Sequence, residues 1–190
     1  MNVGILSLQG SIVEHSRAVE MLGHNPVKVK LPYHLENIKA LIIPGGESTT
    51  IAKLIQHYKL DKAIINKNKE GMPIYGTCAG AILLAKEVID NKTPTLNLLD
   101  ISIKRNDYGR QIDSFETDLH IKNFSKPFHA IFIRAPAIQS YNSGSEVLAE
   151  FNNHPVMLRQ NNILVTTFHP ELTNDLRVHK YFVEMIKKLL

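Results

Sequence analysis

The sequence predicts a three-layer α/β fold: a central, mostly parallel sheet with helices on both faces and antiparallel additions in the second half. Three observations carry this reading. In the first half, short apolar runs alternate with stretches of helical periodicity in the order β-α-β-(α)-β-α-β-α, the pattern of a parallel sheet whose crossovers are helices. Each run ends in small or polar turn residues: Gln9-Gly10-Ser11, Pro44-Gly45-Gly46 and Gly76-Thr77-Cys78. From about residue 98 the pattern changes to strand-like segments joined by short links such as Gln160-Asn161-Asn162.

VGILSL is the first strand, and Ile12, Val13, Ala18, Val19 and Leu22 give the first helix, closed by Gly23 as its C-cap. VKVK (27–30) alternates like an edge or half-buried strand. KALII runs into PGG, after which Ser48-Thr49-Thr50 are placed to cap a helix carrying Ile51, Ala52, Leu54 and Ile55. LDKAIINKNK is a further helix, MPIYG a strand and CAGAILLAKEV a helix. LLDISIKRN, DSFETDLHI, HAIFIRAP, SEVLAEF, PVMLRQ and ILVTTFH read as antiparallel strands and hairpins extending the sheet. A helix from about Asn174 closes the chain, with Leu176, Phe182, Val183, Ile186 and Leu190 as its apolar stripe. No repeat, low-complexity tract or linker interrupts residues 1–190, and one domain is expected.

The bulk properties narrow the function classes. Hydrophobic residues make up 44% and charged residues 21%, an ordinary globular balance. The +4 formal charge is scattered (Lys28, Lys30, Lys67, Lys69, Lys187, Lys188) and does not alternate with aromatics, so neither nucleic-acid nor membrane binding is expected. The N-terminal MNVGILSLQG has no basic leader and reads as a strand, not a targeting segment. The lone Cys78 excludes an internal disulfide and fits a reducing, cytoplasmic setting.

That cysteine lies in GTCAG (76–80), between a strand and a helix. G-x-C-x-G in this context is the thiol version of a nucleophile turn: small neighbours let strand and helix approach, the helix N-terminus favours thiolate, and the next N–H, that of Ala79, is an oxyanion donor. Taken alone, the pentapeptide fits an inert buried cysteine equally well. A second signal separates the two. ILVTTFHPEL ends a strand in His169-Pro170-Glu171, which supplies a base and, two residues on, a carboxylate to orient it. His15, His24, His34, His57, His129, His154 and His179 read as surface or loop residues, and His120 is left unassigned. No compact ligand cluster suggests a metal, and no cofactor is implied. The third signal is PGGES, where Gly45-Gly46 can turn a peptide N–H toward the thiol as a second oxyanion donor.

The order Cys78, then His169-x-Glu171, with an earlier PGG turn, resembles the class I (triad) glutamine amidotransferases. LQG (8–10), PGGESTT (44–50), GTCAG (76–80), RNDYGRQ (105–111), SFE (114–116), FIRAP (132–136) and FHPEL (168–172) together are similar to the glutaminase-subunit family of pyridoxal 5′-phosphate synthases. The resemblance spans nearly the whole chain and departs at Ala81, in LNLLD (96–100) and at Asp107-Tyr108. It implies a flavodoxin-like fold of the class I type, with Cys78 as nucleophile, His169 as base and Glu171 as its orienter. Gly46, Glu47 and Ser48, with Arg105, Ile133 and Arg134, match glutamine-binding positions; which arginine takes the α-carboxylate stays open. It also implies a partner, a (β/α)8 synthase subunit that accepts the ammonia and makes pyridoxal 5′-phosphate, and full activity only on the assembled complex. We therefore expect the PGG peptide to be unfixed in the free subunit. Other readings are a glutaminase serving imidazole glycerol phosphate or carbamoyl phosphate synthesis, a cysteine hydrolase of the DJ-1/PfpI type, and a thiol redox sensor. RNDYGRQ and FIRAP oppose the first, Ala79 directly after Cys78 opposes the second, and the HPE and PGG turns are superfluous to the third.

Overall fold

The structure, a computed structural model, describes residues 1–89, 92–105 and 114–189, with side chains through residue 187. Of RNDYGRQ only Arg105 falls among them; Asp107-Tyr108, the last residue of LLDISIKRN, the first of DSFETDLHI and Leu190 lie outside the described residues.

In chain order the first half runs β1 (Asn2–Leu6), α1 (Ile12–Met21), β2 (Asn25–Val29), a 3₁₀ segment (Pro32–Asn37), β3 (Ala40–Ile43), α2 (Ser48–His57), α3 (Leu60–Lys69), β4 (Ile74–Thr77) and α4 (Ala79–Leu84). The second half runs β5 (Ala85–Val88), β6 (Leu99–Lys104), β7 (Ser114–Leu119), β8 (Phe128–Ile133), β9 (Ala137–Tyr141), β10 (Glu146–Phe151), β11 (His154–Gln160) and β12 (Ile163–Thr166). A 3₁₀ turn (Pro170–Leu172) and α5 (Arg177–Leu189) follow.

The main sheet has the order β10-β11-β12-β4-β3-β1-β2. From β12 to β2 it is parallel, and β11 and β10 add antiparallel pairings at one edge. Strand alternation sorts the core. Leu6, Leu41, Ile43 and Ile74 face α2, α3 and α4, burying Ile51, Ile55, Leu60, Ile64 and Ile82. Val3, Ile5, Ile42 and Tyr75 face α1 and α5, burying Val19, Val178, Phe182 and Ile186.

Several local expectations change. The helix expected over CAGAILLAKEV stops at Leu84, and residues 85–88 form β5. All six residues of α4 are buried, whereas Lys86 and Glu87 are exposed. Charged side chains cannot continue a helix enclosed on every side, and an extended β5 instead pairs with β6. Among the described residues, only β10 and β11 are added to the main sheet through antiparallel pairings. β12 inserts in parallel beside β4, β5-β6-β9 form a second sheet, and β7-β8 a separate hairpin. β9, in AIQSY, is a strand the pattern does not announce, because only its first two residues are buried. The cap of α2 is Glu47, whose carboxylate accepts the Thr49 and Thr50 N–H groups, an anion at a helix N-terminus. Gly23 follows the C-terminal turn of α1 with φ +76° and donates to the Glu20 carbonyl, as expected of a C-terminal glycine. Among the described residues no helix is long and apolar enough to cross a membrane.

Parallel strands put equivalent ends on one rim. The turns after β1, β3, β4 and β12 all leave the same edge of the sheet, the position at which open α/β sheets hold their ligands.

Candidate active site

Cys78 is the turn between β4 and α4, with φ 49° and ψ −102°. An L-residue pays for such a backbone conformation, and the surroundings hold it there. The Cys78 N–H donates to Thr166 O of β12 at 2.8 Å, and its carbonyl accepts from Ala81 and Ile82 N–H. The flanking glycines are required by contact. A Cβ on Gly80 would lie 2.1 Å from the Ile43 carbonyl oxygen, and one on Gly76 2.7 Å from the Gly80 carbonyl carbon. Cys78 is buried, at 7% exposure, but it lines the cleft, and its Sγ lies 3.9 Å from the Ile133 carbonyl oxygen. Ala79, as the first residue of α4, has no intrahelical acceptor for its N–H.

His169 leaves β12 at the same rim. Its N–H donates to Ile131 O at 2.8 Å, and its Nδ1 lies 2.8 Å from Glu171 Oε1. With an anionic carboxylate as acceptor, Nδ1 carries the proton and Nε2 is left for the cleft. Both side chains are buried, at 8% and 0% exposure. Burial by itself lowers the His169 pKa, but hydrogen bonds to Cys78 and Glu171 outweigh it and raise the value to about 10. Burial by itself raises the Glu171 pKa, yet the imidazoles of His15 and His169 hold the carboxyl well below its usual range. The pair is therefore carboxylate and a strongly basic imidazole in reach of a thiol.

The PGG turn covers this pair. A Cβ on Gly45 would sit 2.4 Å from His169 Cε1 and 3.4 Å from Cys78 Cβ, so bare backbone touches both groups. The turn is tied down throughout: Gly45 N–H donates to Thr77 Oγ1 (2.9 Å), Ser11 N–H to Gly45 O (3.1 Å) and Glu47 N–H to Gln9 Oε1 (2.8 Å). These bonds describe the turn in one conformation, with the Gly45-Gly46 peptide held at its carbonyl. Because the Gly45 carbonyl is held by Ser11 and no peptide bond among the described residues is cis, the planar unit turns the Gly46 N–H away from Ser11.

The cleft has a volume of about 560 Å³ and is lined by Cys78, Ala79, His169, Gly46, Glu47, Ser48, Arg105, Ile133 and Arg134 among others. Every residue singled out in the sequence for catalysis, oxyanion holding or substrate binding thus borders it, except Glu171, which sits behind His169. Arg105 Nη2 lies 3.6 Å from Glu47 Oε1. The Thr49 side-chain hydrogen bond is the largest influence on Glu47; burial opposes it, and further hydrogen bonds from Thr50 and Thr49 bring the pKa down to about 2. Arg134, with φ 42°, is exposed at the rim just after β8. His120 is exposed and borders a different surface depression with Lys122 and Glu150. Among the described residues no group of histidines, cysteines and carboxylates is arranged to hold a metal ion.

His15 and His179 overturn their assignment to surface or loops. They are 0% and 1% exposed, their rings tilted against one another, with His15 beside Glu171. Their signal is helical phase: His15 continues Ile12, Val19 and Leu22 on the buried stripe of α1, and His179 continues Phe182 and Ile186 on α5. Thr77, the unspecified residue of G-x-C-x-G, is likewise fully buried and bonds the PGG turn.

Solved structures share this fold. A crystal structure of a glutamine amidotransferase superposes with a TM-score of 0.94 at 45% identity, over 97% of this chain and 98% of that one. A putative GMP synthase component from Thermoplasma acidophilum superposes at 0.72 with 14% identity, over 99% of this chain and 94% of the other, a likeness of fold alone. The architecture is therefore that of the class I glutamine amidotransferases. The profile of the SNO glutamine amidotransferase family matches residues 5–188, and the chain belongs to that family. Curated relatives include the pyridoxal 5′-phosphate synthase subunit PdxT of Fervidobacterium nodosum, 48% identical over 99% of this chain and 98% of its own. The subunit of the same name from Pelotomaculum thermopropionicum is 50% identical over 97% of this chain and 94% of its own.

Proposed function

We propose that this chain is the glutaminase subunit of a glutamine-dependent pyridoxal 5′-phosphate synthase, hydrolysing L-glutamine to L-glutamate and ammonia. The observation that carries the reading is the Cys78, His169, Glu171 array beneath the PGG turn, in a chain whose relatives are named subunits of that synthase.

Glutamine enters with its side-chain carboxamide against Cys78. Among the described residues, Arg105 and Arg134 are the arginines that line the cleft and can meet its α-carboxylate; Glu47, Ser48, Gly46 and Ile133 add to the walls. The Cys78 sulfur attacks the carboxamide carbon, and the carbonyl electron pair moves onto oxygen. The N–H groups of Gly46 and Ala79 receive that oxyanion, each worth about 2.7–4 kcal/mol by the usual measure of such donors. His169, having taken the thiol proton, gives it to the departing nitrogen; the C–N bond breaks and ammonia leaves. Water then loses a proton to the same imidazole and attacks the glutamyl thioester, releasing glutamate and restoring the thiol. Glu171 keeps the ring in the Nδ1–H tautomer throughout.

Ammonia released into bulk water is protonated and loses its nucleophilicity, so a dedicated acceptor is needed. The acceptor we assign is a (β/α)8 synthase subunit, which forms pyridoxal 5′-phosphate as product and not as a cofactor of this chain. A free thiol nucleophile fits a cytoplasmic, reducing setting. The test is glutamate release from glutamine by wild type and Cys78→Ala, each with and without the synthase subunit. Turnover that Cys78→Ala abolishes, with ammonia passing to the synthase, supports the reading; full turnover in Cys78→Ala overturns it.

A further inference from the structure

Behind the triad lies a second polar layer that the mechanism above does not use. His15 Nε2 is 3.1 Å from Thr77 Oγ1 and 3.5 Å from Glu171 Oε1, while its Nδ1 is 3.0 Å from His179 Nε2. Thr77 Oγ1 in turn accepts the Gly45 N–H. One imidazole, wholly out of solvent, thus touches both the carboxylate that orients the base and the hydroxyl that holds the oxyanion turn.

The proton positions follow from the partners. Glu171, as a carboxylate, only accepts, so the proton of His15 belongs on Nε2. Its Nδ1 then accepts from His179 Nε2–H. His179 Nδ1 has no partner among the described residues; as a bare lone pair it costs less than an orphaned N–H would. The donors all run one way: His179 to His15, and His15 to Thr77 and Glu171, where His169 arrives from the other side. The second oxygen of Glu171 has no partner among the described residues, so the carboxylate is fixed chiefly through Oε1, and His15 is one of the two groups that fix it.

We propose that His15 is a positioning residue for the reaction, its Nε2–H tying Glu171 and Thr77 together so that the base and the oxyanion turn keep one mutual geometry. This rests on the glutaminase reading. It predicts that what matters is the far ring nitrogen, beyond mere filling of the space beneath α1.

Paired amide substitutions separate the two roles. The amide nitrogen of a glutamine reaches about as far as Nε2, and that of an asparagine about as far as Nδ1. In the assembled synthase complex, His15→Gln is expected to keep kcat within about threefold of wild type, and His15→Asn to lower it about tenfold or more at a KM within about twofold. Both variants should melt close to one another. Equal kcat in the two variants, or a loss confined to KM, overturns the proposal. If His15→Asn does not fold, Thr77→Ser and Thr77→Val in the wild-type and His15→Leu backgrounds decide, since Val takes the acceptor from both His15 and the Gly45 N–H, and Leu fills the space without a ring nitrogen. A kcat loss from Thr77→Val that is smaller in the His15→Leu background than in wild type, with Thr77→Ser near wild type, supports the link, and equal losses in both backgrounds overturn it. The underlying reading fails differently, by wild type and Cys78→Ala turning over alike.

Discussion

Cys78 carries the account at the scale of single residues. Its φ of 49° and ψ of −102° place a side-chain-bearing residue where backbone conformation is costly, a strain of the order of 1–3 kcal/mol that the surrounding hydrogen bonds sustain. Cys78→Gly and Cys78→Ala both remove the sulfur but differ in this strain. Despite the greater chain entropy of glycine, Cys78→Gly is expected to be about 1 kcal/mol more stable than Cys78→Ala, as read from denaturant midpoints at equal m-values. The same scale shows where sequence reading succeeds and fails. The thiol and the His-x-Glu pair are legible because a short motif at a strand end fixes them. His15 and His179 are not, because a histidine flanked by polar neighbours looks solvated until the helical phase of α1 and α5 is followed through it. Thr77 hides inside the motif itself, as a position the pattern leaves free.

At the scale of elements, the approach of α4 to β3 sets the site. Gly80 lies against the Ile43 carbonyl so closely that an added Cβ would stand 2.1 Å from the oxygen. Backbone on both sides cannot yield cheaply, so Gly80→Ala is expected to cost about 1–3 kcal/mol or more. It should also lower kcat, because α4 can move only by carrying Cys78 and Ala79 with it; thermal melting and glutamate release measure the two effects. Element identity was legible wherever one period dominated, as in α1, α3 and the parallel strands. It was not legible at 85–88, where helix-forming residues become a strand through pairing with β6, nor at β9, whose burial ends after two residues. Tertiary pairing overrides local propensity at both.

The whole molecule brings together groups from β1, β3, β4 and β12 because parallel strands share a rim; for β1, β3 and β4 that convergence was readable from the alternating pattern, whereas β12 was expected as an antiparallel strand. The arrangement of the later strands was not, since hairpin-like segments carry no record of which sheet they join. Packing α1 and α5 against one face also buries a titratable layer, with consequences for stability. Burial first, and then the neighbouring His15, lower the His179 pKa to about 3, against a smaller opposing effect of Glu171. Unfolded, the same side chain takes a proton near pH 6.5. As pH falls from about 6.5 toward 3, the unfolded chain gains a proton that the folded one refuses, so stability drops by up to about 1.4 kcal/mol per pH unit from this group. His179→Gln, which cannot take up a proton, removes that slope while leaving the carboxylate contributions of Glu171 and Asp175 in both proteins. Its melting temperature relative to wild type should therefore rise between pH 7.5 and pH 5; a constant offset would show that His179 does not titrate on unfolding.

The central claim is that one sulfur performs the attack, and covalent capture tests it most directly. A diazoketone analogue of glutamine, added to the assembled complex, should inactivate glutamate release in step with a single adduct. Peptide mapping should place that adduct on Cys78, with glutamine protecting against both. Inactivation without modification of Cys78, or modification of Cys78 that leaves glutamate release intact, would contradict the account.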